Sequence, residues 1–402
     1  MIDASTETQL SEAQSLMASF AARTGLAPER SLPTRYLWTD AFAVCNFLAL
    51  ARAHLQQRNL YLELAGRLVR QVHRRLGYYR EGDVHQGPLS ALPVWEADQQ
   101  PTVGGLRIGN PRPERRAGER FDPQNEAERD GQYFHYLTKW MHALNQMGTQ
   151  TGDPIYHRWA RELACTAHSA FARDAAAGRM FWKMSVDLER PLVASMSRTM
   201  AQHDPLDALI TYCQLQSSPS GGGPDLRGEI HDAAGMCAGA TWAIDDALGI
   251  GDLLINAGRV AQIAAPDAVS ALNTIDAADR LDVIDAIQPG QLLEELLESA
   301  RAGLSRFAGS DALAQPPDRR TASGELELAI GLAALPVVAR SRPPGCGDKP
   351  ARVDRLAPYQ SMRSKIVGFW RGVRARRDAA QQDVDAVMLA TALVPDGFVV
   401  LR

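Results

Sequence analysis

LWTDAFAVCNFLALA, residues 37–51, is apolar on nearly every side. It is followed at 60–76 by LYLELAGRLVRQVHRRL, which sets Leu64, Leu68 and Val72 on one face and Arg67, Arg70 and Arg74 on another. A helix that is apolar all round is buried, whereas one with a single apolar stripe at a 3.6-residue period keeps its other face in water. The pair recurs as YFHYLTKWMHALNQM (133–147) and IYHRWARELACTAHSAF (155–171), the latter opposing Trp159, Leu163 and Ala167 to Arg158, Arg161 and Glu162. Further helices are expected in LDALITYCQL (206–215), LLEELLESARAGLSRF (292–307), ELELAIGLAALPVVA (325–339) and SMRSKIVGFWRGVRARR (361–377). The clearest strand-like run, MFWKMSVDLERPLV (180–193), reads as one β-hairpin. This alternation predicts an all-α chain, a helical toroid with buried helices inside and amphipathic ones outside. An open solenoid is the competing arrangement, but no repeat of fixed period is visible. We expect one domain over residues 1–402. Long loops at 78–126, 217–225 and 341–358 are expected at one end, and Trp38, Phe42, Leu137 and Leu209 in the core.

The chain has 402 residues, 45% hydrophobic and 22% charged, with a formal net charge of −4. So small a charge provides no broad field for nucleic acid or an anionic membrane, and neither is expected as a partner. Cys45, Cys165, Cys213, Cys237 and Cys346 form no C-x-x-C pair, which disfavours a disulfide framework and a cysteine zinc site. MIDASTETQLSEAQSLMASF lacks the basic start and apolar run of a signal peptide, and no run of about 18 apolar residues is free of charge, so a cytoplasmic location is expected. There is no H-E-x-x-H, Walker loop or G-x-S-x-G, and GGLRIG (104–109) follows no strand. No metal or cofactor is expected, and activity should survive chelation. PRPERRAGER (111–120) contains Glu114 and Glu119 and reads as a solvated loop; RGVRARRD near 371 reads as a wet helix face.

Three places put polar groups in apolar context. In TRYLWTDAF (34–42), Arg35 and Trp38 stand at the entrance of a buried helix, where a guanidinium can meet a ligand oxygen and an indole can stack on a sugar. The alternative is an arginine paired to a nearby acid beside a core tryptophan. His135, Lys139 and His142 fall at i, i+4 and i+7, a polar stripe that either lines a cavity or consists of satisfied core groups. In SMSRTMAQHDPLDALITY (195–212), Asp204 is placed to cap a helix with Pro205 at its first position. His203, with Asp204 or Asp207 to orient it, has the parts of a general base.

At these places the chain resembles the N-acylglucosamine 2-epimerase family, helical toroids of six hairpins acting on sugars, which implies an (α/α)6 toroid of about six hairpins here. The resemblance spans roughly the first two-thirds of the chain. TRYLWTDAF is similar to the family's Arg-x-x-Trp segment, which implies that Arg35 contacts the sugar oxygen at the reacting carbon. GQYFHYLTKW is similar to an inner-helix segment in which His135 matches a histidine and Gly131 stands where asparagine is usual. AQHDPLD resembles the Gly-His-Asp-x-Glu-type segment, implying His203 as catalytic acid or base with Asp207 as its carboxylate. The expected site is therefore His203, Arg35 and Asp207 for catalysis, with Trp38, His135, Lys139 and His142 binding a small sugar. The family's second catalytic histidine lies near the C-terminus, and this chain has none after His231. Epimerisation moves protons on two faces of a carbon. One base can instead carry a proton between neighbouring carbons through an enediolate, as in aldose–ketose isomerisation. Two further readings stand beside these. One is a six-hairpin glycoside hydrolase drawing two carboxylates from Asp187, Glu189, Asp204, Asp207, Asp245 and Asp246; the other is a non-catalytic sugar-binding protein. A homodimer is compatible with all of them.

Overall fold

The computed structural model describes residues 4–173, 180–193, 203–265, 283–341, 353–373 and 379–401. Residues 195–202 ahead of His203, most of the loop expected at 341–358, Cys346 and residues 374–377 lie outside the described residues. The chain forms two compact units interleaved in sequence. One comprises Met1–Arg23, Cys45–Glu63 and Ala240–Arg402; the other comprises Thr24–Val44 and Leu64–Gly239.

Helix dominates both, and the alternation read from the sequence is present. In the second unit, α6 (Phe134–Thr151) packs on α7 (Pro154–Phe171), and α8 (Asp204–Gln216) packs on α9 (Arg227–Cys237). Every residue of α8 is buried, but only Ile230, Ala233 and Met236 of α9. Ahead of them in the chain run α2 (Leu37–Ala53) and α3 (Arg58–Leu76), of which Leu37–Val44 and Leu64–Leu76 belong to this unit, and two short helices, α4 (Val94–Ala97) and α5 (Pro123–Ala127). In the first unit, α10 (Ala247–Ile263) packs on α11 (Pro289–Gly309), and α12 (Ala322–Arg340) on α13 (Gln360–Val373). The first helix, α1 (Ala4–Arg23), packs on α14 (Ala379–Leu393), which precedes a last turn, α15 (Asp396–Val399). Each pair joins a largely buried helix to a half-exposed one, because the first has apolar residues all round and the second only a stripe. Trp38, Phe42, Leu137 and Leu209 are all buried, as expected.

The starts of the helices follow local chemistry. Asp153 accepts the Ile155 N–H at 3.0 Å with Pro154 in the first turn of α7, and Asp246 accepts Gly249 N–H at 2.9 Å ahead of α10. At α8 the expected cap is corrected: the N-cap is His203, and Asp204 is already the first helical residue. The helix begins one residue earlier than the Asp-Pro pattern suggested, so the carboxylate of Asp204 is not spent on the usual capping bond. Helices α10 and α12 meet through glycines, since a Cβ on Gly331 would stand 2.4 Å from the Gly251 carbonyl oxygen. Helix α12 is long and apolar enough to cross a membrane by length and composition, yet it carries Glu325 and Glu327 and is mostly buried inside the protein.

The expected hairpin at 180–193 is present as β2 (Lys183–Met184) and β3 (Pro191–Val193), with a third strand, β1 (Gln132–Tyr133), added antiparallel to β2 so that Gln132 faces Met184. Strand β1 runs directly into α6, so the sheet fixes the first turn of the helix that carries His135, Lys139 and His142.

Candidate functional site

All seven residues singled out in the sequence lie in the second unit. At the entrance of α2, the Arg35 guanidinium donates through Nη1 to Asp40 Oδ1 at 3.3 Å and through Nη2 to the Thr24 carbonyl at 2.9 Å, and its side chain has no exposed surface. This is the paired-acid arrangement weighed beside sugar contact. The other Asp40 oxygen reaches back to the Tyr36 N–H at 3.0 Å, which satisfies a donor at the helix start and sets a negative charge in the first turn. Trp38 is buried against Phe42, with ring centroids 4.9 Å apart, and faces Tyr136 at 6.4 Å.

The GGLRIG stretch has a structural role. The Ile108 carbonyl accepts the Leu37 N–H at 3.0 Å while its N–H donates to the Gly131 carbonyl at 2.8 Å, tying the start of α2 to the strand before α6. Gly109, at φ +94°, passes so close to Arg35 that a Cβ would stand 2.3 Å from its carbonyl oxygen. Gly131, in the position where the family pattern has asparagine, has φ +142°. A Cβ there would lie 2.8 Å from the Met184 carbonyl oxygen and 2.9 Å from Lys183 Cε. Chain direction and the β2 strand together exclude a side chain.

The α6 stripe faces α8. Lys139 Nζ stands 3.5 Å from Asp207 Oδ2, both side chains nearly inaccessible, and His142 Nδ1 is 3.1 Å from Gln214 Oε1. These two contacts advance in the same direction along both helices, so α6 and α8 run side by side in parallel. One turn back from Lys139 is His135, and one turn back from Asp207 is His203; the register therefore puts both histidines toward the same end of the seam. His203 and Asp207 are buried, whereas His135 is half-buried. On the far side of α6, His73 accepts the Trp140 indole N–H at 3.2 Å and burial pushes its pKa down to about 3. His157, 3.0 Å from Asn145 Oδ1, is pushed down to about 4, chiefly by burial and secondarily by Arg161. Both are neutral core groups.

Around His135 stands an aromatic wall that the sequence reading missed. The Tyr36 and Tyr136 hydroxyls are 2.6 Å apart, the Tyr136 ring meets His135 edge-on at 4.6 Å, and Trp182 lies parallel to the His135 ring at 6.5 Å. Tyr133 packs on Trp182 at 4.8 Å, and Lys183 Nζ lies 5.1 Å from the Tyr133 ring centre. Lys183 is fully buried, donating to the carbonyls of Glu126 at 2.7 Å and Arg129 at 2.9 Å and pairing with Glu126 Oε1 at 3.1 Å. Burial lowers its pKa, with Glu126 opposing. Burial likewise raises the Tyr36 phenol, with the Tyr136 hydrogen bond opposing. The available signal was a tyrosine directly after two of the marked polar residues, Tyr36 after Arg35 and Tyr136 after His135.

The arginine-rich loop is paired internally: Arg112 with Glu128 at 2.8 Å, Arg115 with Glu126 at 2.9 Å, and Arg129 with Glu119. Of the carboxylates considered for hydrolysis, Asp187 accepts the Glu189 N–H at 3.0 Å in a turn, Asp245 and Asp246 lie in the other unit, and Asp204 and Asp207 share the first turn of α8. Among the described residues no three His, Cys, Asp or Glu side chains are grouped to hold a metal ion. The first unit carries an open cleft of about 770 Å³ lined by Trp242, Glu294, Glu295, Glu298, Arg301 and Arg355, none of them marked in the sequence.

No protein-family model and no curated protein matches the chain. Among solved structures it is similar to cellobiose 2-epimerase from Spirochaeta thermophila DSM 6192, at 13% identity and a TM-score of 0.44 over 95% of this chain and 97% of that one.

Proposed function

We propose that the chain is a carbohydrate isomerase of the N-acylglucosamine 2-epimerase type, one that moves a proton on the carbon beside a sugar carbonyl. The observation that supports the reading is the α6–α8 seam: from its Lys139–Asp207 contact the register runs back to His135 and His203 at one end, and aromatic side chains suited to a sugar face surround His135. His203 is the base. It takes the proton from the carbon beside the carbonyl, leaving an enediolate; the hydroxyl proton on that carbon passes to the former carbonyl oxygen as His203 returns its own proton to the former carbonyl carbon, which completes an aldose–ketose exchange. Asp207, one helical turn on, orients His203 while paired to Lys139. His135 and Trp38 border the sugar, and His142 with Gln214 holds the seam behind them. Arg35, bonded to Asp40 and the Thr24 carbonyl, works as a positioning residue that sets the entrance of α2.

The test is incubation with unlabelled aldoses in deuterated water. Deuterium on the carbon beside the carbonyl is expected, and His203→Ala should lower its incorporation by about 100-fold to 10,000-fold while sugar binding persists. Cleavage of a polysaccharide without exchange would replace this reading by the hydrolase, and binding without either reaction by the sugar-binding protein.

A further inference from the structure

An enediolate needs a donor on its oxygen, and the two cations marked for the site are engaged elsewhere: Arg35 on Asp40 and the Thr24 carbonyl, Lys139 on Asp207. The groups of this wall that keep access to solvent are different ones. Tyr36, His135 and Tyr136 are half-buried, whereas the Arg35 and Lys139 side chains are almost wholly buried in their ion pairs. The two half-buried phenols form a 2.6 Å hydrogen bond, and the Tyr136 ring touches His135. In such a pair one hydroxyl donates to the other, and the acceptor's own proton points elsewhere. Tyr36 is anchored at its backbone by Asp40 and follows Arg35 directly, so Arg35, bonded to Asp40 and the Thr24 carbonyl, fixes the residue beside it.

We infer that the Tyr36 hydroxyl is the hydrogen-bond donor to the carbonyl oxygen of the reacting sugar, with Tyr136 donating to Tyr36 as its positioning partner. This rests on the proton-transfer reading above. As the base breaks the C–H bond, the carbonyl π electrons move onto oxygen and the Tyr36 O–H holds the resulting negative charge. When the enediolate collapses, the hydroxyl proton on the adjacent carbon passes to this oxygen, the new carbonyl forms on that carbon and the base returns its proton to the former carbonyl carbon, so Tyr36 ends as it began, a neutral phenol. A donor strengthened by a second hydroxyl behind it is polarised in the direction the developing charge requires. Burial, which raises the Tyr36 pKa, keeps it protonated at neutral pH.

The test uses the full chain with Tyr36→Phe, Tyr136→Phe and the double variant, each keeping the ring contacts. Deuterium incorporation is followed at varied aldose concentration. Tyr36→Phe should lower kcat by about 100-fold to 1,000-fold with KM within about threefold. Tyr136→Phe should cost about tenfold in kcat, and the double variant no more than Tyr36→Phe alone, because Tyr136 acts only through Tyr36. A structural role would give additive losses. If the wild type exchanges deuterium but Tyr36→Phe keeps kcat within threefold, or raises KM alone, this assignment falls and the reaction stands. If the wild type exchanges with no aldose tested, the reaction falls and takes the assignment with it.

Discussion

Arg107 ties three segments of the second unit together through one side chain. Its Nε donates to the Tyr78 carbonyl at 2.7 Å, its Nη2 to the Arg75 carbonyl at 2.6 Å, and its Nη1 pairs with Asp130, whose side chain has no exposed surface. The other Asp130 oxygen accepts the Gly109 N–H at 3.0 Å. One planar fork thus joins the end of α3, the GGLRIG stretch and the residue before Gly131. Replacing Arg107 by Met keeps much of the stem but leaves Asp130 buried without its cation and two carbonyls without their donors. Removing one partner of a buried pair costs about 3–5 kcal/mol, most of it from the uncompensated charge. Arg107→Lys should recover little, because one ammonium cannot serve three acceptors in that geometry. Urea unfolding followed by far-ultraviolet circular dichroism gives the loss directly. The double variant Arg107→Met with Asp130→Leu, which removes both charges, should be more stable than Arg107→Met alone. If Arg107→Met lies within about 1 kcal/mol of wild type, or if the two single losses simply add, the pair does not lock these segments and the reasoning fails.

Acid should destabilise the fold through His73 and His157. Their folded pKa values, about 3 and about 4, lie below the ordinary histidine value, so the unfolded chain takes up protons first as pH falls. Their contribution is complete above about pH 6.5 and is lost toward those lower values; at pH 5 each costs about 2 kcal/mol relative to pH 7.5. The urea midpoint should drop accordingly, and His73→Gln should flatten part of the slope; an unchanged slope in that variant would exclude His73. Gly131→Asn should destabilise by about 1–3 kcal/mol in thermal unfolding because its Cβ meets the Met184 carbonyl; a gain in stability would contradict the positive φ. Gly331→Val should disrupt the α10–α12 contact and lower the midpoint, despite valine's better helix propensity than glycine's; an unchanged midpoint would show that the helices tolerate separation.

What the sequence made legible was whatever has a period. Helices such as α8 or the α6–α7 pair show their faces in any window of a dozen residues, and Asp40 lies near enough to Arg35 for the pairing to be weighed in advance. Strand β1 was not legible, because two residues have no periodicity and their partner strand lies far along the chain. The same holds for the tyrosine pair, 100 residues apart, where only folding brings the hydroxyls to 2.6 Å. The His203 segment was found, but its cap was misjudged by one residue, since Asp-Pro is equally suited to the cap and to the first turn. His135, Lys139 and His142 were found as a stripe. That the stripe meets Asp207 and Gln214 is a fact of packing that no local pattern encodes.

The departure at Gly131 and the aromatic wall then follow from one arrangement. Strand β2 lies against β1 with Lys183 and Met184 in the space an asparagine at 131 would need, and the residue immediately before Lys183 is Trp182, which stacks over His135. Moving the hairpin away to admit an amide would withdraw Trp182 from the histidine and expose the Lys183 ammonium now held by Glu126 and two carbonyls. The chain therefore has a choice between an amide beside His135 and an indole over it, and the glycine records the second. Under the proposed function, a sugar bound here would meet aromatic faces and phenol hydroxyls on this side of the site, where Arg35 turns inward to Asp40 and the Tyr36 hydroxyl meets that of Tyr136.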